Sequence, residues 1–337
     1  MGAALALAER GRGRTFPNPN VGCVIVKDDK VVGRGWTQPG GRPHAEGMAL
    51  AEAGELARGA TAFVTLEPCA HASPRGPACA PSLAEAGVKR VVAALGDPDP
   101  RTCGRGFHEL RSAGVIVIES VRAEDARRSM AGFLTRQHLG RPHVTLKLAV
   151  SLDGCIALAN GESRWITGEA ARAHVHLERA RHEAILVGRG TFEADAPRLD
   201  VRLPGLEDRS PLRVLLSKTR HPREGRGPSH ELTDRGGVDP GFRRDDEWVL
   251  MSDVVNIAAL PADHLLVEGG AHTAASFLKA DLVDRMLLYS APILIGGKSA
   301  LGDLGLSDLS AAHGRWNLTD SRMLGVDRLQ VYERHRD

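Results

Sequence analysis

Two hydrophobic rhythms alternate along the chain. Residues 2–10 carry alanine and leucine at helical spacing and predict an amphipathic helix. The proline- and asparagine-rich loop Phe16-Pro17-Asn18-Pro19-Asn20 leads into an apolar run at 21–26 that reads as a strand. Lys27-Asp28-Asp29-Lys30 makes the turn into a second strand from Val31. Helices are predicted at about 44–57, 78–86, 105–113 and 122–138, and strands at 61–66, 88–94 and 115–118. An opening hairpin followed by alternating strands and helices predicts a three-layer α/β/α sandwich. Gly140-Arg141-Pro142 interrupts the pattern, so residues 1–141 are expected to form one domain and 142–337 a second.

The second half opens with a strand at 143–150 and a turn at Ser151-Leu152-Asp153-Gly154. Thr167 is placed to N-cap a helix that runs to about 181. Strands follow at 184–187, 212–216, 264–267, 283–289 and 328–333, with a helix at 271–279. Residues 218–246 are rich in Arg, Pro, Gly and Asp and predict a long surface loop. These elements make a second α/β domain. No G-x-G-x-x-G follows a strand, so a Rossmann unit is not supported.

Composition narrows the classes. A chain of 337 residues is long for one core and fits two domains. Apolar content of 42% and a formal net charge of +2 describe a soluble globular protein without bulk attraction to nucleic acid. Aromatics make up only 4%, which argues against a base-stacking platform. No run approaches the roughly 18 apolar residues of a membrane span. Residues 1–8 are apolar but are followed at once by Glu9-Arg10, so they read as a helix and not a signal peptide. The odd set Cys23, Cys69, Cys79, Cys103 and Cys155 does not suggest a disulfide framework and fits a reducing cytoplasm. Whether the chain forms a homo-oligomer is left open.

Candidate chemistry concentrates in His44-Ala45-Glu46, Pro68-Cys69 and Cys79. Each fragment alone is common. Their order and the single glutamate carry the signal. One imidazole and two thiolates suit zinc, and three protein ligands leave a position for water, where a structural site closes with four. His71 would close the shell if it were a ligand. It is placed instead on the substrate side or as a support behind the ligands, because Glu46 would otherwise have no water to act on. Val267-Glu268-Gly269-Gly270 puts two glycines between a strand and a helix, a turn that lets backbone amides approach a phosphate. Alone this is a weak signal, since glycine pairs mostly just make turns.

His-x-Glu followed by Pro-Cys and a second Cys is the signature of zinc-dependent nucleobase deaminases. The first half resembles the deaminase part of the bifunctional riboflavin-biosynthesis deaminase–reductase family. The matching stretches are Pro17-Asn18-Pro19-Asn20-Val21-Gly22-Cys23-Val24-Ile25-Val26, His44-Ala45-Glu46, Val64-Thr65-Leu66-Glu67-Pro68-Cys69-Ala70-His71 and Gly104-Arg105-Gly106. The second half resembles the family's reductase part through Lys147-Leu148, Ser151-Leu152-Asp153-Gly154, Gly161-Glu162-Ser163, Trp165-Ile166-Thr167 and Val267-Glu268-Gly269-Gly270.

The resemblance implies a cytidine-deaminase-like domain followed by a dihydrofolate-reductase-like domain. It implies hydrolytic deamination of 2,5-diamino-6-(5-phosphoribosylamino)pyrimidin-4-one, then NADPH reduction of the ribosyl group to ribityl. Zinc would be held by His44, Cys69 and Cys79, with Glu46 catalytic. Asn18, Arg75 and Asp97 would contact the pyrimidine. Lys147, Ser163, Arg179, Leu199, Arg202 and Glu268 would contact the reductase substrate. Ala149, Trp165, Thr191, Asp195, Gly270, Ala271, His272, Thr273, Ala274, Ala275 and Ser276 would contact NADPH.

Some residues depart from the family pattern. The stretch from Cys69 to Cys79 is one residue longer than usual, and Cys155, Ala196 and Asp200 replace the usual residues of the reductase half. An active deaminase with an impaired or substrate-shifted reductase half is therefore the alternative expectation. A nucleic-acid-editing deaminase fits poorly with the charge balance, and a non-enzymatic zinc module leaves Glu46 without a role.

Overall fold

The computed structural model describes residues 1–71, 73, 75–217, 230–231 and 248–336. The chain divides into two compact units, Met1–Gly140 and Arg141–Asp337.

In the first unit, α1 (Gly2–Gly11) precedes the hairpin β1 (Gly22–Lys27) and β2 (Lys30–Trp36). Then come α2 (Ala45–Ala53), β3 (Thr61–Val64), α3 (Cys79–Glu85), β4 (Arg90–Ala93), α4 (Arg105–Ser112) and β5 (Ile116–Ile118). The sheet order is β2-β1-β3-β4-β5. The β1 pairings are antiparallel, and β3, β4 and β5 run parallel. Alternate residues of β1 face opposite cores. Cys23 and Ile25 pack with Ala45, Ala49 and Leu83, while Val24 packs with Ala4 and Leu7 of α1. Both sheet faces are therefore covered, as the α/β/α expectation requires.

The helix α2 lies directly on β2. A Cβ on Gly35 would fall 2.0 Å from the Ala45 carbonyl oxygen, and one on Gly33 would fall 2.1 Å from that of Ala49. This contact seats the start of α2, where His44 and Glu46 stand. The helix expected at 122–138 is two helices, α5 (Ala123–Ser129) and α6 (Ala131–Leu139). Met130 between them has φ −102° and ψ 20°. The Asn20 side chain donates to the Ser129 carbonyl at 3.2 Å, and an inserted side chain of this kind kinks a helix.

The second unit contains β6 (His143–Val150), β7 (Cys155–Ala157), α7 (Glu169–Arg179), β8 (Ala184–Gly188), α8 (Arg189–Asp195), β9 (Leu212–Leu216), β10 (His230–Glu231) and β11 (Trp248–Met251). It continues with β12 (His264–Val267), α9 (Ala271–Lys279), β13 (Arg285–Ser290), β14 (Lys298–Ser299), β15 (Trp316–Leu324) and β16 (Asp327–Arg334). The main sheet runs β10-β11-β9-β8-β12-β6-β13-β16-β15. It is parallel from β10 to β13 and antiparallel through β16 and β15. A parallel sheet is buried on both faces, which explains the near-continuous apolar runs of β8 and β12.

Thr167 does not cap α7. Gly168 is the N-cap residue, and its N–H donates to Asp327 Oδ2 at 2.7 Å. Apart from 230–231, the loop expected at 218–246 lies outside the described residues. Among the described residues, no helix is long and apolar enough to cross a membrane.

Candidate active sites

The first site is assembled at helix starts. His44 is the N-cap residue of α2, Glu46 lies in its first turn, and Cys79 is the first residue of α3. Cys69 follows β3 and is tied to α3 through Ala80 N–H, which donates to its carbonyl at 3.1 Å. His44 Nδ1 lies 3.3 Å from Cys79 Sγ and 3.6 Å from Cys69 Sγ. The ligand atoms of His44, Cys69 and Cys79 all lie within 4.8 Å of one another. A tetrahedral zinc shell has nitrogen-to-sulfur edges of about 3.5 Å, so the donor set and its spacing fit the ion. His71 is not part of this group. Its Nδ1 meets Thr102 Oγ1 at 3.3 Å.

The two thiols are unequal: Cys79 is pushed well above the ordinary thiol range, first by its contact with Cys69 and then by burial. Cys69 is held well below the ordinary thiol range by the Cys79 thiol, against the opposing effect of burial, and then by His44 and the Cys79 N–H. That N–H, at the start of α3, reaches Cys69 Sγ at 3.3 Å. Helix starts stabilise thiolates in this way. Glu46 is buried and sits against the same group. Burial raises its pKa to about 7, with His44 pulling it down and Cys69 pushing it up.

Within the longer Cys69–Cys79 stretch, Ser73 and Gly76 exchange backbone hydrogen bonds of 3.2 and 3.0 Å. Arg75 donates to the Gly40 carbonyl at 3.1 Å, and Arg42 to that of Pro77 at 3.3 Å. Asn18 Nδ2 lies 3.0 Å from His44 Nε2 and donates to the Gly41 carbonyl at 2.9 Å. Arg75 and Asn18 thus meet on the same glycine turn. Asp97 is buried and feels the charge of Cys69. Its pKa is raised to about 6, first by burial and then by Asp99, Glu67 and Cys69, against the Asp99 N–H that it accepts.

The second site is a cleft of about 830 Å³ in the second unit. Lys147, Ser163, Arg179, Leu199, Arg202 and Glu268 line it, as do Ala149, Trp165, Thr191 and Asp195. From the start of α9, Gly270, Ala271, His272 and Thr273 also face it. Three expected cofactor contacts do not. Ala274 and Ala275 are buried on the inner side of α9. Ser276 borders a separate cavity with Arg189, Ser217 and Ser252. A helix turns about 100° per residue, so seven consecutive residues cannot all face one cleft.

A buried charge cluster stands in this cleft. Arg179 Nε and Nη2 donate to the two Glu268 oxygens at 2.7 and 3.0 Å, and Nη1 donates to the Asp200 carbonyl at 3.1 Å. Lys147 Nζ is 3.8 Å from Glu268. Burial would raise the Glu268 pKa, but Arg179 and Lys147 outweigh it and draw the value to about 2. Arg179 thus borders the cleft with its guanidinium already paired to Glu268. Arg202 is 57% exposed and only loosely paired with Asp200, at 3.5 Å. Cys155 and Asp200 do not line the cleft, whereas Ala196 does. Sequence reasoning missed His176 and Lys298, which also line it. His176 accepts the Arg202 N–H at 3.3 Å, a contact no sequence spacing reveals.

Comparison with known proteins agrees with this division. Residues 1–95 match the cytidine and deoxycytidylate deaminase zinc-binding region, and residues 142–329 match the RibD C-terminal domain. The chain is 40% identical over 326 residues to the riboflavin biosynthesis protein RibD of Escherichia coli, covering 88% of each. It is also 40% identical over 336 residues to RibD of Mycobacterium tuberculosis, covering 98% of this chain and 95% of that one. The solved structure of Acinetobacter baumannii RibD superposes with a TM-score of 0.83 at 37% identity, over 99% of this chain and 98% of that one. A second solved structure is the diaminohydroxyphosphoribosylaminopyrimidine deaminase/5-amino-6-(5-phosphoribosylamino)uracil reductase of Thermotoga maritima. It gives 0.86 at 33% identity, over 99% and 97%. With a deaminase-type zinc-ligand set in one unit and the RibD reductase domain in the other, this chain belongs to the RibD family of bifunctional deaminase–reductases of riboflavin biosynthesis.

Proposed function

We propose that the first unit hydrolyses the amine of 2,5-diamino-6-(5-phosphoribosylamino)pyrimidin-4-one, and that the second reduces the ribosyl group of the product with NADPH. The carrying observation is the convergence of His44, Cys69 and Cys79 within 4.8 Å beside a buried glutamate. Zinc held by these three residues would supply the Lewis acidity that makes water nucleophilic at neutral pH. Glu46 carries the proton, taking one from the attacking water and delivering one to the departing amine. Overall, the substrate C–N bond breaks, a C–O bond forms, and ammonia leaves. Asn18, Asp97 and Arg75 contact the pyrimidine beside the ligand group.

In the second unit, NADPH would supply the hydride. Ala149, Trp165, Thr191 and Asp195 would hold the nicotinamide half. Gly270, Ala271, His272 and Thr273 offer backbone amides at the start of α9 to its phosphates. Arg179 orients Glu268, so that Glu268 and Lys147 address the sugar hydroxyls beside Ser163 and Leu199. Arg202 takes the 5′-phosphate. Both steps use soluble small molecules, in keeping with a cytoplasmic enzyme.

The test supplies each substrate separately. The diaminopyrimidine should release ammonia, and the deaminated product should oxidise NADPH. Ammonia release with no NADPH oxidation would remove the second half of the proposal.

A further inference from the structure

Glu67 has no role in the chemistry above, yet it is one of the most heavily bonded buried acids in the first unit. It stands two residues before Cys69 and is 3% exposed. Its Oε2 accepts the backbone N–H groups of Asp97 at 3.1 Å and Gly104 at 3.0 Å. Its Oε1 accepts the Phe107 N–H at 3.2 Å. Asp97 opens a loop, Gly104 closes it, and Phe107 lies in the first turn of α4. One side chain therefore satisfies donors at both ends of the loop.

Two more contacts join the Cys69 segment to this loop. A Cβ on Gly106 would lie 2.0 Å from the Pro68 carbonyl oxygen, so the start of α4 rests on Pro68 itself. His71 meets Thr102, which is fully buried, at 3.3 Å. Within the loop, Asp99 N–H donates to Asp97 Oδ1 at 2.9 Å, and Thr102 and Cys103 N–H groups donate to the Asp99 carbonyl at 2.8 and 2.9 Å. The loop is thus ordered internally, and Glu67 fixes its place relative to the ligand segment.

We infer that Glu67 is a positioning residue for the deamination: it locks the loop bearing Asp97 to the segment bearing Cys69, and so sets the width of the pyrimidine site. This rests on the assignment of Asp97 as a pyrimidine contact. The physical basis is the cost of unpaired buried donors. Removing one acceptor oxygen leaves a backbone N–H without a partner, and the loop must shift to find water. Supporting groups of this kind hold contact residues to within about 0.5 Å.

The test compares Glu67→Gln, Asp97→Asn and the double variant in the full-length zinc-loaded enzyme. Glu67→Gln puts an NH₂ where an oxygen accepted. The deaminase KM should rise by about tenfold or more, with kcat changed by less than about threefold, zinc still near one per chain and NADPH oxidation of the deaminated product unchanged. Asp97→Asn should also raise KM. In the double variant the effect of Glu67→Gln should largely vanish, because both act through one loop. An unchanged KM in Glu67→Gln, or full additivity in the double variant, would overturn the inference. An unchanged KM in Asp97→Asn alone would withdraw the Asp97 assignment and the inference with it. Should Glu67→Gln fail to fold, Glu67→Asp carries the same test, since it keeps both oxygens but draws them back from the loop by one methylene.

Discussion

The two units solve different problems with the same kind of frame. In the first, the chemistry is compact. Three ligands and one glutamate come from the starts of two helices and one loop, and the ligand atoms lie within 4.8 Å. In the second, the cleft of about 830 Å³ is built from the ends of parallel strands and the elements around them. A compact feature within it is the Arg179–Glu268–Lys147 cluster. On the proposed function, the difference follows from what each would hold. A metal and a proton need a few atoms placed tightly, whereas a dinucleotide needs a long surface with many weak contacts. A hydrolytic site should therefore fail abruptly when one residue is lost, and a cofactor cleft gradually.

The sharpest break in this contrast is metal loss. Cys79→Ser, or stripping the enzyme with a zinc chelator, should lower ammonia release by more than about 10³-fold and leave NADPH oxidation of the deaminated product near normal. Assaying both reactions on one sample checks it. Parallel loss of both would mean the metal also supports the second unit.

The next effect is on stability. Arg179→Ala leaves Glu268 buried with only the more distant Lys147, and breaking such a pair costs about 3–5 kcal/mol. Trp165, Trp248 and Trp316 lie in the second unit and only Trp36 in the first. Tryptophan fluorescence during urea unfolding therefore reads mainly the reductase unit, and its transition should move to lower urea. Deaminase kinetics should not change.

The same cluster sets a pH dependence. The Glu268 pKa is depressed from 4.5 to about 2. The stability that this contributes is present above about pH 4.5 and is lost as the pH falls toward 2. The shift corresponds to about 3 kcal/mol at most. Glu268→Gln should flatten the acid limb of the second unit's stability curve, and an unaltered limb would count against the cluster as its origin.

The smallest effect concerns backbone strain. Ala196 and Leu199, beside the cleft, have φ of 40° and 54°, in the left-handed region. Ala196→Gly should stabilise the second unit by less than about 1 kcal/mol, because relief of strain is partly offset by the entropy of glycine. Urea unfolding of this variant measures it.

Sequence reading succeeded unevenly, for the same reason that the sites differ. His44, Cys69 and Cys79 stood out because few other side chains offer that donor set, and the strands and helices that carry them show clear periods. Strand β15 was not foreseen. Its residues are mostly exposed, so no alternation of apolar and polar positions marks it. Helix α8 has no buried residue and carries Gly190 in its first turn after the N-cap Gly188, so no apolar helical period marks it. Trp165 and the start of α9 were legible only through resemblance, because a cofactor cleft is recognised by shape and backbone amides more than by residue type. Glu67 was in plain view beside Cys69. Nothing in its spacing shows that three backbone donors from residues 97–107 would close on it.

Glu46→Gln tests the central claim most directly. The variant replaces the proton carrier with an isosteric amide and leaves every proposed metal ligand in place. Zinc content, ammonia release from the diaminopyrimidine and NADPH oxidation of the deaminated product are measured on one preparation. The account predicts about one zinc per chain, ammonia release reduced by at least about 10²–10⁴-fold, and reduction at the wild-type rate. Near-normal ammonia release would contradict the assignment of Glu46, and equal loss of both activities would contradict the separation of the two sites.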